Sequence, residues 1–151
     1  MAIIALEDLQ ASRELLKLEM CNHSARLCQQ YIEKLFKDII VRLGNDEKDM
    51  FLLSTHNIPK ISFRVAELVG VEFSKEDISL FRELTDYYFD TNYPGGNYIR
   101  ISRAEAQEVY AATIYFTEKL LLLLEECRLE EMAAYKLHQD FVGVEKLKLQ
   151  Q

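Results

Sequence analysis

Proline and glycine are scarce, with two Pro (Pro59 and Pro94) and five Gly in 151 residues, while Leu, Glu, Ala, Lys and Ile dominate. A chain with so few breakers and so many helix formers is not a β-sandwich or a barrel, and all-α is the class it indicates. Cysteine is equally sparse. Cys21, Cys28 and Cys127 are odd in number, form no Cys-x-x-Cys pair and sit in apolar helical context, so they read as reduced core thiols of a cytosolic protein rather than a disulfide framework. Positive charge is in deficit, 18 Lys and Arg against 25 Asp and Glu for a net charge of −7. The overall field therefore repels nucleic-acid phosphates, and any contact with RNA or a nucleotide has to be local.

Only His23, His56 and His138 are available as imidazoles, too few to converge with cysteines and carboxylates. Cys21 and Cys28 share a helix face that no histidine joins, so neither a metal nor a cofactor is expected. There is no glycine-rich phosphate loop, because Gly95-Gly96 does not sit in a strand-to-helix turn with Lys-Ser or Lys-Thr behind it. The paired carboxylates Glu125-Glu126 and Glu130-Glu131 lie beside Lys and Arg as on a solvated helix. The most apolar stretch, residues 109–124, contains Glu118 and Lys119 and is shorter than the roughly 20 residues a membrane span needs. Glu7 and Asp8 near the start, without a basic leader or a cleavage site, add the expectation of a cytoplasmic protein.

What the chain does contain is helical periodicity, enough for a single domain that buries about two thirds of its unfolded surface. Leu6, Leu9, Arg13, Leu16 and Met20 mark a first helix over residues 4–20. A second runs from an Asn22 cap to Gly44, with Cys28, Ile32, Leu35, Ile39 and Leu43 on its apolar face. Residues 45–54 lack a period and read as a loop. Thr55 or Asn57 then caps a short helix that contains Pro59 and stops at Gly70. Ser74 with Asp77 opens a fourth helix ending near residues 88–90, and the run 90–97, with Asn-Tyr-Pro and Gly-Gly, is the strongest loop signal. Ser102-Arg103-Ala104-Glu105 is a capping box for a long final helix. Its five leucines, Leu120 to Leu124, are apolar all round and call for cover by a second copy of the chain or by the weakly amphipathic segment 128–151. About five helices and no internal repeat give one helical bundle.

One surface feature carries chemistry. His23, Arg26, Gln30, Lys34 and Lys37 fall on the polar side of the second helix, a row of donors suited to charge-assisted bonds with a phosphate. The same row is also what an ordinary solvated face looks like. His56, at a helix start, is in most proteins a capping or packing residue, and its cationic form is disfavoured beside the positive end of the helix.

The run His23-Ser24-Ala25-Arg26-Leu27-Cys28-Gln29-Gln30-Tyr31-Ile32-Glu33-Lys34-Leu35-Phe36-Lys37 resembles the helix-two signature of the HEPN family, His-Ala-x-x-x-x-Gln-Gln-x-x-Glu-Lys-x-x-Lys. Further fragments follow in the family's order. Thr55-His56-Asn57-Ile58 is similar to Thr-His-Asp-Leu, Leu84-Thr85-Asp86-Tyr87-Tyr88 to Leu-Thr-x-Tyr-Tyr, and Tyr93-Pro94-Gly95 with Ser102-Arg103-Ala104-Glu105-Ala106 to the Arg-Tyr-Pro loop and final helix start. The likeness spans about residues 6–124. It implies an antiparallel up-and-down four-helix bundle with a short additional helix, commonly a homodimer, often encoded beside a minimal nucleotidyltransferase that is its partner.

Two activities come with the resemblance: nucleotide binding or assistance to the transferase, and metal-independent ribonuclease activity of toxin–antitoxin type, which uses an Arg, four to six residues and a His. The chain departs from that motif. Its nearest pairs, Arg13 with His23 and Arg128 with His138, have nine residues between them, and Asn92 stands where the family often has Arg. The expectation is therefore a bundle over residues 1–128 with a C-terminal helical extension over 129–151 in the same domain, acting as a nucleotide-binding or accessory subunit without independent enzymatic activity. The alternatives are a ribonuclease and a purely structural dimeric protein. Arg26, Gln30, Lys34, Lys37, His56 and Tyr93 are the candidate nucleotide or phosphate contacts.

Overall fold

A computed structural model describes residues 1–44, 46–92, 100–126 and 133–151. Among the described residues seven helices follow one another: α1 (Ala2–Lys17), α2 (Cys21–Leu43), α3 (Glu47–Leu52), α4 (Ile58–Val69), α5 (Lys75–Asn92), α6 (Arg103–Glu126) and α7 (Ala133–Leu149). No strand occurs among the described residues. None of these helices is long and apolar enough to cross a membrane.

The second helix is the axis of the bundle and packs against α1, α4, α5 and α6. The apolar period read from the sequence is the face it buries: Cys28, Tyr31, Ile32, Leu35, Phe36 and Ile39 have no exposed surface. Each such large side chain contributes about 1.5–3 kcal/mol by leaving water. Around Phe36 the rings of Phe73, Phe81 and Phe116 meet at centroid distances of 5.3–5.9 Å, mostly edge to face, the arrangement the ring quadrupole favours. Ser12 and Ser24 exchange bonds at 2.9 Å across the α1–α2 crossing, each hydroxyl donating to the other's carbonyl. The pairing of Asp8 with Lys34 further along shows the two helices to be antiparallel. Cys28 lies in the same buried layer, and burial pushes its thiol up to about 11. It is a packing residue, not a nucleophile.

Several boundaries differ from the sequence reading. The first helix stops at Lys17, and the chain reverses through Glu19 in the left-handed region (φ 60°). Asn22 is not the cap of α2. Met20 holds that position without a side-chain bond, and the Asn22 amide oxygen instead accepts from the Ile101 backbone N–H at 2.7 Å. The expected loop 45–54 contains a helical turn, α3, closed by a capping box between Asp46 and Asp49. That turn has no apolar period because an ion pair holds it: Arg64 of α4 donates to both Asp49 oxygens at 2.8 and 3.3 Å. Gly70 ends α4 as read, in the left-handed conformation (φ 76°) that suits glycine.

The weakly patterned C-terminal segment forms a regular helix that belongs to the core. Tyr135 donates to Asp38 at 2.7 Å, Tyr110 to Glu145, and Val142 is buried. His138 is fully buried between Tyr31 and the Ala2 carbonyl, at 2.9 and 2.8 Å. A carbonyl only accepts, so Nε2 carries the proton and Nδ1 accepts from the Tyr31 hydroxyl. This contact network explains the weak pattern, since α7 is fastened by polar side chains that a hydrophobic period does not register. Leu120, Leu121 and Leu124 are buried with α7 packed alongside, whereas Leu122 remains 54 % exposed.

Candidate functional site

The donor row of α2 divides into two halves. Toward the C-terminal half every cation already holds a carboxylate. Lys34 pairs with Asp8 of α1. Lys37, read as solvated, is instead buried and donates to Glu33 at 2.7 Å one turn earlier, both side chains being only 10 % exposed. A buried charge persists only when paired in this way, so the Glu33–Lys37 spacing that looks like a surface i,i+4 pair is an interior one.

Glu33 is the hub of this half. Its carboxylate also accepts from the buried Gln29 amide and from His56 Nδ1, the latter at 3.0 Å. His56 is not a cap: Asn57 Oδ1 accepts from the Lys60 N–H at 3.0 Å and starts α4. Thr55 Oγ1 accepts from the Asn57 N–H at 3.2 Å, and Thr85 Oγ1 of α5 accepts from the Ile58 N–H at 3.1 Å. These bonds fix the turn so that the imidazole lies over Glu33 and stacks on Tyr88, with ring centroids 4.2 Å apart and planes 19° apart. Gln29, Glu33 and Lys37, the turn 55–58, and Thr85 with Tyr88 are distant in sequence and meet at one place. Three of the fragments recognised separately along the chain are thus parts of a single structure.

The N-terminal half of α2 is different. Arg26 and Gln30 are half-buried, and among the described residues neither has a hydrogen-bond or ion-pair partner. His23 and Asn22, one turn back, line an open groove of about 590 Å³ together with Arg100, Ser102 and Arg103. The groove forms because the Asn22–Ile101 bond ties the start of α2 to the segment entering α6, while Ser102 caps α6 by accepting from the Glu105 N–H at 3.2 Å. Arg103 is neutralised by Glu19 at 2.7 Å in an exposed pair. Arg100 is exposed and has no carboxylate partner among the described residues. Unpaired donors in a chain of net charge −7 therefore gather at this end.

Of the sequence candidates, the structure brings Lys34, Lys37 and His56 into carboxylate pairs and leaves Arg26 and Gln30 open. Tyr93 lies outside the described residues. Arg100 and Arg103 were not among the candidates, although an Arg-x-x-Arg overlapping the capping box at residues 102–105 was a signal that could have found them. Among the described residues no three His, Cys, Asp or Glu side chains converge as for a metal.

A family model, the HEPN domain, matches residues 3–127. The chain belongs to the HEPN family. No curated protein and no solved structure matches it. The HEPN match takes in α1 to α6 and ends before α7, and it ties the chain to nucleotide and RNA chemistry at the level of the family. Neither Arg–His pair of this HEPN chain reproduces the ribonuclease spacing. His138 has both nitrogens engaged in the core, and Arg13 is bonded to Glu14 at 2.8 Å and stacked over Phe141.

Proposed function

We propose that this HEPN chain is a nucleotide- or RNA-binding subunit, accessory to a nucleotidyltransferase partner and without hydrolytic activity of its own. The observation that carries the reading is a set of donors without partners among the described residues: His23 and Arg100, which line the groove at the start of α2, and Arg26 and Gln30, about one and two turns further along that helix. Phosphate oxygens accept from arginine in strong, geometrically defined bonds, and donors already free of carboxylates bind without first breaking an ion pair. Lys34 and Lys37 are neutralised by Asp8 and Glu33, and direct contact requires them to exchange those carboxylates for phosphate. The transferase partner and a homodimeric state rest on the family resemblance, and the exposed Leu122 is compatible with a contact between copies.

The test is titration of ATP and of a short RNA into wild type and the Arg26→Ala, Arg100→Ala double variant. Each exposed charged contact contributes about 1 kcal/mol, so the double variant binds at least tenfold more weakly, and wild-type binding falls with added salt. Equal affinities with the fold intact remove the groove from the proposal. Co-purification with the product of an adjacent nucleotidyltransferase gene tests the accessory role. A second reading, ribonuclease, is favoured only by His23 lying in one groove with Arg100; RNA cleavage in EDTA that is lost in His23→Ala establishes it in place of the first.

A further inference from the structure

His56 has more surface than a structural tie requires. One ring face is covered by Tyr88, and the Nδ1 edge is directed to Glu33, yet 42 % of the side chain stays exposed. With Tyr88 on one ring face, a further ring can stack only on the opposite one. The Glu33 carboxylate engages Nδ1, and Nε2 has no partner among the described residues. Next to it Tyr88 meets Phe89 edge to face at 5.1 Å, and Phe89 is itself 51 % exposed. Exposed aromatic rings held rigidly from behind are what proteins use to stack unpaired bases.

The position relative to the groove is equally informative. Arg26, Gln30 and Glu33 follow one another at steps of four and three, and so lie along one face of α2. At 1.5 Å rise per residue, Glu33 stands about 10 Å from Arg26 and about 15 Å from His23 along the axis. We propose that the outer face of His56, backed by Tyr88, is a stacking platform for a nucleobase whose phosphate chain is held by Arg26 and Arg100 toward the start of α2, about 10–15 Å along the helix axis from Glu33. This rests on the phosphate-groove reading above and adds the part of the ligand that the groove does not bind. A nucleoside triphosphate and a short single-stranded RNA share that chemistry, a base at one end and phosphate oxygens at the other.

Two substitutions separate stacking from the structural tie. His56→Phe keeps a ring and loses the donor to Glu33, whereas His56→Gln keeps a donor and loses the ring. The probes are 2-aminopurine riboside triphosphate, a four-nucleotide RNA containing 2-aminopurine, and inorganic tripolyphosphate, which has no base. Wild type and His56→Phe are expected to quench 2-aminopurine fluorescence, and His56→Gln to bind the base-containing probe about tenfold more weakly without quenching. All three proteins bind tripolyphosphate alike. Quenching by the triphosphate alone identifies a mononucleotide ligand, and quenching by the RNA alone an oligonucleotide. If His56→Gln matches wild type while tripolyphosphate still binds, the platform is overturned and the groove stands. If wild type binds none of the three probes, both are overturned.

Discussion

Replacing Lys37 with methionine removes a buried cation while keeping most of the side chain's volume, and the outcome distinguishes a ligand-contacting lysine from one that holds the fold. In the structure the Lys37 ammonium and the Glu33 carboxylate are both 10 % exposed and 2.7 Å apart. Stripping one partner from a buried pair costs about 3–5 kcal/mol when nothing else compensates the remaining charge. Here Gln29 and His56 still donate to Glu33, so the expected loss is smaller, about 2–3 kcal/mol. For a chain of this size that lowers Tm by roughly 5–10 °C. The assay is thermal unfolding followed by circular dichroism at pH 7.5, with the Glu33→Gln, Lys37→Met double variant alongside. Removing both charges recovers at least half of the loss, because the double variant leaves no unpaired carboxylate. A Lys37→Met protein that melts within a degree of wild type would show that the pair is not the interior contact described, and Lys37 would return as a direct phosphate ligand.

Lys34→Ala, whose pair with Asp8 is part-exposed, costs no more than about 1 kcal/mol in the same melts. Burial holds the His138 imidazole below its usual value of 6.5, although the Ala2 carbonyl and Asp38 favour its charged form. The neutral histidine therefore stabilises the fold above about pH 6.5, and that stability falls as pH drops toward the folded-state value, by up to about 1.4 kcal/mol per pH unit. Urea unfolding between pH 7.5 and 5 measures it, and His138→Gln, which cannot titrate, should show a flatter profile over that range. Deleting residues 133–151 uncovers Tyr110, Leu121 and Leu124, so the shortened chain binds a hydrophobic dye and loses its cooperative melt, whereas a sharp transition in the shortened chain would mean that α7 is an appendage. Tyr135→Phe costs about 1–2 kcal/mol by chemical denaturation, because Asp38 keeps Arg42 at 2.7 Å as a partner.

Elements with an apolar period and a local cap were legible in the sequence: the buried face of α2, the Asn57 and Ser74 caps, and the Gly70 stop all depend on residues close together in the chain. Elements created by distant partners were not. The turn of α3 depends on Arg64, fifteen residues beyond Asp49, and Asn22 gives up the role of cap for Ile101, 79 residues away. The donor row of α2 was visible as a row, but which of its members are already neutralised depends on Asp8, on another helix, and on how deeply Lys37 and Glu33 sit. The order of the HEPN-like fragments announced the family. That the α2 run, the turn 55–58 and the stretch 85–88 converge around Glu33 required three dimensions.

The central claim is that phosphate binds at the start of α2 and not along the Lys34–Lys37 half. Amide resonances of the isotope-labelled protein, followed while ATP is added, test it most directly. The account predicts concerted, saturable shifts at residues 22–26, 30 and 100–103, with smaller changes at 56 and little at 34–37. Shifts centred on residues 34–37 with none at 22–26 or 100–103, or no shifts at millimolar ATP or on addition of short RNA, would contradict it.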